Sequence, residues 1–226
     1  MTDRDIWPEL APARRVVYER LAATGAPPSP AEAATALGME VSHVLSAWRK
    51  LHDLHQLVLG SGRDAIRMAH PFSAAPMGFV VRGSDDRLWW GGCAWDSFGI
   101  VAALAEDLEV QTRCPQCKRG LTMLVGPDQP PDFGVVRIPV PARNWWADVV
   151  ATCNRIRLFC DHEHARQYEA EHSGEEGQVV EAERMWRLAL GWYGDRLDPG
   201  YTPQAPSFRQ RLLDAVGLAG PFWALE

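Results

Sequence analysis

A cysteine and an aspartate stand three residues apart in GGCAWDSFGI, residues 91–100. If a helix begins near Cys93, the side chains of Cys93 and Asp96 lie on one face of it. The free N–H groups and the positive end of the helix dipole then favour a thiolate at Cys93, and Gly91 and Gly92 leave room for a substrate. A cysteine that only packs, beside an acid near a helix start, gives the same pattern. The pair is therefore a candidate reacting thiol and acid, with simple packing as the alternative.

A second candidate thiol, Cys160, ends the apolar run RLFC directly before Asp161, a residue typical of helix N-caps. Two cysteines at helix starts, far apart in sequence, could converge on one soft metal ion. Considered alone, Cys160 is also typical of a packed cysteine at the end of a strand.

The turn Cys114-Pro-Gln-Cys117 has the CxxC spacing of half a zinc site and needs two more ligands. Candidates for these ligands are Cys153, Cys160, His162 and His164. Thiols packed beneath a hairpin leave the same pattern, and a thioredoxin-like role fits poorly because that motif opens a helix. We expect little or no bound zinc.

The elements that must position these residues indicate an α+β fold. Helical spacing of apolar residues over 12–24, 30–38 and 41–57, followed by a β-hairpin over 58–72, predicts a winged-helix-like N-terminal domain of residues 1–75. In residues 76–226, strands and helices are segregated rather than alternating, which favours a mainly antiparallel or mixed sheet flanked by helices. The turn of one hairpin carries the CxxC, and helices are predicted to start near Cys93 and Asp161.

Three segments towards the C-terminal end complete this prediction. Residues 174–178, GEEGQ, are predicted to form a solvated loop. The stretches VVEAERMWRLALGWYGDRL and PSFRQRLLDAVGL, which follow, are predicted to form amphipathic helices.

Charge and composition limit the possible partners. The net charge of −6 argues against broad binding to DNA or anionic membranes, and residues 1–75 hold eight basic and eight acidic side chains, so no basic face is indicated. No run reaches the roughly 18–20 apolar residues of a membrane helix, and the N-terminus lacks a secretory signal. We expect a cytoplasmic protein, where the five cysteines stay reduced.

Six segments resemble, in order, segments of the organomercurial lyases, also called alkylmercury lyases. They are HPFSAAP (70–76), GGCAWDSFGIVAAL (91–104), RCPQC (113–117), RLFCDHEHARQY (157–168), WYGDRL (192–197) and GLAGPFW (217–223). The resemblance implies a cytoplasmic detoxification enzyme that breaks carbon–mercury bonds by protonolysis, giving a hydrocarbon and Hg(II). The two cysteines and the aspartate of the family site map onto Cys93, Cys160 and Asp96, so the other three cysteines would be structural or dispensable.

In the chemistry that this resemblance implies, mercury is substrate and product, and no cofactor is required. Mercury is a soft metal that prefers thiolates, so Cys93 and Cys160 would hold it. Asp96 would pass a thiol proton to the carbon atom bound to mercury. This proton transfer requires that the carboxyl group of Asp96 be buried. Low-molecular-weight thiols or a mercuric reductase would then remove Hg(II). Trp95 departs from the smaller aliphatic residue expected there and would narrow the pocket.

Two alternatives remain. One is a winged-helix regulator whose cysteines sense a metal. The other is a noncatalytic, zinc-stabilised or altered-substrate member of the same family.

Overall fold

Three helices form the N-terminal part of the computed structural model, which describes residues 3–172 and 177–226. They are α1 (Asp3–Thr24), α2 (Pro30–Leu37) and α3 (Val41–Asp53), and they pack against one another. Ser29 and Glu32 form a reciprocal capping box at the start of α2, and Gly38 ends that helix with φ 63°. The predicted helices are confirmed here, although α1 begins earlier than expected and α3 ends four residues sooner.

Seven strands form the main sheet. They are β1 (Val58–Leu59), β2 (Ile66–Ala69), β3 (Phe72–Ser73), β4 (Phe79–Arg82), β5 (Leu88–Gly91), β6 (Leu108–Arg113) and β7 (Gly120–Val125). The order across the sheet is β1-β2-β3-β5-β4-β6-β7, and every neighbouring pair is antiparallel. Alternate residues of β7 are buried, as expected for a strand with one solvated face. The predicted antiparallel sheet is confirmed.

The hairpin β1–β2 follows α3, as the N-terminal pattern predicts. Its second strand pairs with β3, which in turn pairs with β5, so the hairpin is continuous with the main sheet. The winged-helix description and the boundary at residue 75 stay predictions.

A smaller antiparallel sheet, ordered β10-β8-β9, contains β8 (Val135–Ile138), β9 (Arg157–Phe159) and β10 (Gln178–Glu181). A 3₁₀ turn (Ala142–Asn144) and α5 (Val149–Arg155) precede β9, and α6 (His162–Glu171) follows it. The start of the predicted penultimate helix is instead β10, because Val179 to Glu181 pair with β8. Most of the predicted 174–178 loop lies outside the described residues.

A central helix, α4 (Ala94–Leu104), packs between the main sheet and α7 (Ala182–Tyr193). Every residue of α4 from Ala94 to Ala103 is buried. The last helix, α8 (Pro206–Ala215), packs on α7. The first turn of α4, which carries the candidate chemistry, therefore lies inside the protein.

Within the described ranges, none of the helices combines the length and apolar character needed to cross a membrane.

The close contact between α4 and α7 depends on Gly99. A Cβ at this position would lie 2.4 Å from Cδ2 of Tyr193 and 2.7 Å from Cβ of Pro71. We expect Gly99→Ala to lower the free energy of unfolding, because overpacking costs about 1–3 kcal/mol and exceeds the roughly 1 kcal/mol that alanine gains in a helix. Urea unfolding measures the change.

The matched control is Gly120→Ala, since no heavy atom lies within 4 Å of a Cβ built there. The free energy of unfolding of this variant should equal that of the wild-type protein. A Gly99→Ala protein at least as stable as wild type would show that the contact does not limit packing.

Candidate active site

Cys93 is the N-cap of α4, and Asp96 lies in its first turn. The backbone N–H of Asp96 donates a hydrogen bond to the Cys93 sulfur over 3.3 Å, so the thiol takes the place of the usual capping oxygen. Both residues are 1% exposed. The predicted helix start is confirmed, and the two side chains lie together beneath the surface.

The two glycines before Cys93 make room for the protein's own side chains. A Cβ at Gly92 would lie 2.5 Å from Oδ2 of Asp96 and 2.3 Å from Cε of Met68. A Cβ at Gly91 would lie 2.3 Å from Oγ of Ser97. Their small size therefore lets the first turn of α4 pack tightly against the sheet.

The second sulfur at this site belongs to Cys153, on α5. Its thiol lies 3.6 Å from Oδ2 of Asp96 as a hydrogen-bond donor, and it also hydrogen-bonds with the Cys93 thiol. The resemblance assigned this second position to Cys160, but the structure places Cys153 beside Cys93 and Asp96. Cys160 lies after β9, beyond the cavity lining, and its sulfur is 3.5 Å from that of Cys117.

Two further side chains hold the Asp96 carboxylate. The Tyr193 hydroxyl on α7 donates a hydrogen bond to Oδ1 over 2.9 Å. Nδ1 of His70, which follows β2, lies 3.4 Å from Oδ1 and 3.3 Å from Oδ2. The Tyr18 hydroxyl on α1 donates to the His70 backbone carbonyl over 3.0 Å. Four segments of the chain therefore set the position of one carboxylate.

Both thiols are held in their protonated form. Burial raises the pKa of Cys93, and the adjacent Asp96 charge raises it further. The interaction of its proton with the Cys93 sulfur, burial and the Asp96 charge raise the pKa of Cys153 well above its ordinary value. At neutral pH both thiols of this site therefore keep their protons, next to the side chain of Asp96.

The sulfurs and the carboxylate open onto a cavity of about 50 Å³ with an aromatic wall. The Trp95 ring packs against Trp145, Trp192 and Tyr193, with centroids 5.2, 5.0 and 5.5 Å away. Trp95 is one of the residues that line the cavity. These rings make one side of the cavity apolar.

A second sulfur cluster contains Cys114, Cys117, Cys160 and His164. It lies where the turn between β6 and β7 meets the start of α6. One ligating atom from each residue can be chosen so that all four lie within 4.8 Å of one another. The five cysteines are free thiols. They divide into the pair Cys93 and Cys153 at the cavity and the three of this cluster, of which Cys114 is buried, Cys160 half-buried and Cys117 exposed.

Comparison with models of known protein families shows the family to which this chain belongs. Residues 72–194 match the model of the family described as MerB, alkylmercury lyase. This chain belongs to the alkylmercury lyase family. A search of curated proteins finds no match. Among solved structures, the chain is similar to one titled "Crystal structure of the mercury-bound form of MerB2", with 21% identity, a TM-score of 0.62, and coverage of 84% of this chain and 89% of the other.

The lyase family match contains Cys93, Asp96, Cys153 and Tyr193, whereas His70 lies two residues before it. Sequence reasoning missed the roles of Cys153, His70 and Tyr193. His70 and Tyr193 lay within the segments HPFSAAP and WYGDRL that carried the resemblance. Cys153 had no local signal, because its contacts with Cys93 and Asp96 join residues 57 or more apart.

Replacing Asp96 tests the electrostatic coupling between its charge and the two buried thiols. Its negative charge raises the pKa of both thiols, so Asp96→Asn lowers both pKa values. At any pH below those values the thiolate fraction then rises, by about tenfold for every pH unit by which the pKa falls. We expect faster iodoacetamide labelling of Cys93 and Cys153, measured peptide by peptide by mass spectrometry across pH.

The exposed carboxylate of Asp85 provides the matched control, since it pairs with Arg87. Asp85→Asn should leave the labelling rates of both buried thiols at wild-type values. Unchanged or slower labelling in Asp96→Asn would contradict the coupling.

Proposed function

We propose that this protein is an organomercurial lyase that cleaves carbon–mercury bonds by protonolysis, giving a hydrocarbon and Hg(II). The supporting observation is the convergence of two protonated thiols and one carboxylate in a buried cavity. Family membership supports the same reaction class. Cys93, Cys153 and Asp96 carry the chemistry in this proposal, so Cys153 replaces Cys160 as the second sulfur.

Mercury capture follows from the softness of sulfur. Hg(II) binds thiolates in preference to oxygen ligands, and the two thiols already lie within hydrogen-bonding contact. In the first step one thiol displaces the anion X from R–Hg–X, forming a sulfur–mercury bond and releasing HX. In the second step the other sulfur bonds to mercury and raises the electron density on the bound carbon.

The proton of the second thiol completes the reaction. Cys153 already donates towards Oδ2 of Asp96, so the carboxylate can receive this proton and deliver it to carbon. The electron pair of the carbon–mercury bond forms the new carbon–hydrogen bond. Hg(II) remains bound by two thiolates, so protons and charges balance without an oxidant or reductant.

The groups around Asp96 act as positioning residues. Tyr193 and His70 lie within reach of its oxygens and hold the carboxylate beside the sulfur. The tryptophan wall keeps the reacting carbon away from water, which strengthens electrostatic interactions inside the cavity. A cavity of about 50 Å³ favours small organic groups.

Turnover then requires a new ligand for the metal. Low-molecular-weight thiols exchange with the two protein thiolates, which take up protons again as the mercury leaves. A mercuric reductase is a further acceptor in this proposal. The abundance of reduced thiols in cytoplasm makes that compartment the expected location.

The decisive experiment measures benzene released from phenylmercury in the presence of excess thiol. We expect Cys93→Ser, Cys153→Ser and Asp96→Asn each to abolish or nearly abolish release, because each removes a mercury ligand or the proton carrier. Circular dichroism checks that every variant folds, and Asp85→Asn is the control for charge removal.

Cys160→Ser separates the two assignments of the second sulfur. A folded Cys160→Ser protein should still release benzene, whereas folded Cys153→Ser should not. The reverse result would return the role to Cys160, and full activity of Asp96→Asn would exclude it as the proton carrier.

The hydroxyl of Tyr193 has a separately measurable effect. Without this hydroxyl the Asp96 carboxylate is held less firmly beside the sulfur, so Tyr193→Phe should lower kcat by about tenfold or more, with KM near wild type. Tm should also fall, because hydrogen bonds to charged groups contribute about 1.5–3 kcal/mol to stability. The matched control is Tyr168→Phe, whose ring packs on Phe159 and His172, outside the cavity. A folded Tyr193→Phe protein with wild-type kcat would contradict the positioning role.

A further inference from the structure

We propose that Cys114, Cys117, Cys160 and His164 bind one zinc ion that joins the β6–β7 turn to the start of α6. These four residues are called the peripheral cluster below. The carrying observation is that three sulfurs and one imidazole nitrogen from two distant segments lie within 4.8 Å of one another. The site goes beyond the proposed lyase chemistry and does not depend on it.

The spacing of the peripheral cluster suits tetrahedral zinc. Zinc–sulfur bonds of about 2.3 Å place the sulfurs of a tetrahedral site roughly 3.8 Å apart. The sulfurs of Cys117 and Cys160 are 3.5 Å apart, and the Cys114 sulfur lies within 4.8 Å of both. A disulfide would require about 2.05 Å. Small shifts therefore convert this arrangement into a Cys₃His site.

The turn that carries Cys114 and Cys117 is already formed. The Cys114 N–H donates to the Arg119 carbonyl, and the Lys118 N–H donates to the Cys114 carbonyl, both over 3.0 Å. Lys118 adopts the left-handed conformation with φ 62°, and the Arg119 backbone donates to the Cys117 sulfur. These bonds direct both sulfurs of the CxxC to one side of the turn.

The second half of the peripheral cluster is the sequence Cys160-x-x-x-His164 at the start of α6. Asp161 caps the helix by accepting a hydrogen bond from the His164 N–H over 2.9 Å. Nδ1 of His164 lies 3.2 Å from Oδ2 of Asp161, but it is buried and makes no hydrogen bond within the described residues, so this nitrogen is available as a metal ligand. His162, the other histidine considered, pairs instead with Glu181.

The surrounding charges also favour a metal-bound thiolate group. Three thiolates and Zn²⁺ together carry one negative charge, and Arg113, Lys118 and Arg119 lie at the same turn. Four protein ligands leave no open position, which is typical of structural rather than catalytic zinc. The expectation of little or no zinc, made from the CxxC alone, is therefore revised.

The position of the peripheral cluster gives zinc a structural consequence. The segment that ends at Cys160 begins with α5, which carries Cys153, and continues through the three residues of β9. Zinc would hold the far end of this segment against the β6–β7 turn. The metal would thus stabilise the part of the chain that carries the second active-site sulfur.

The test uses full-length protein, purified without chelators and without a metal-binding tag. Mass spectrometry of the metal content should find about one zinc per chain. Zinc alone, added back to chelator-stripped protein, should bind at one site and raise Tm. Cys117→Ser and His164→Ala should each weaken this binding by about tenfold or more, whereas Cys93→Ser and Cys153→Ser should retain it.

Cobalt(II) binding can be measured on the wild-type protein, so this test does not depend on whether a variant folds. Stripped wild-type protein should show thiolate-to-cobalt charge transfer and the visible bands of a tetrahedral complex, both removed by zinc. Absence of zinc together with absence of these bands would overturn the proposal. Zinc lost in Cys153→Ser but kept in Cys117→Ser, or a Cys117–Cys160 disulfide in the purified protein, would overturn it equally. None of these measurements involves an organomercurial, so they are independent of the lyase assay.

Discussion

The active site depends on the complete burial of the first turn of α4. A helix start exposes unpaired N–H groups, and here that turn also carries a carboxylate that is 1% exposed. A buried charge is tolerated only when neighbouring groups satisfy it. Tyr193, His70 and the thiol of Cys153 surround the Asp96 carboxylate and meet this requirement, while the Cys93 sulfur accepts the backbone N–H of Asp96. The same contacts bring two sulfurs to one carboxylate.

This constraint extends to the N-terminal helices. Tyr18 of α1 fixes the backbone of His70, and the indole N–H of Trp89 on β5 donates to the Leu21 carbonyl at 3.0 Å. Arg14 is buried as well, and it donates to the Arg196 carbonyl just beyond α7. The N-terminal helices therefore help to hold the sheet and the Asp96 carboxylate in place.

The two sulfur clusters differ in the groups beside them. The pair Cys93 and Cys153 has a carboxylate, raised thiol pKa values and an apolar wall beside it, which is the combination that the proposed protonolysis requires. The peripheral cluster has an imidazole and basic neighbours, but no buried acid. Burial and charge thus give the same residue type two different chemistries within one chain.

The sequence alone was sufficient for the features that depend on near neighbours. The helix starts at Cys93 and Asp161, the CxxC turn and the segregation of strands from helices were all predicted, because each arises from contacts a few residues apart or from local periodicity. Tertiary structure decided which cysteine joins Cys93. Cys153 and Cys160 lie at opposite ends of a segment containing β9, and a strand of three residues already spans about 10 Å. One sulfur is therefore carried into the cavity and the other to the periphery, a choice that depends on how β9 pairs with β8 and that local sequence does not encode.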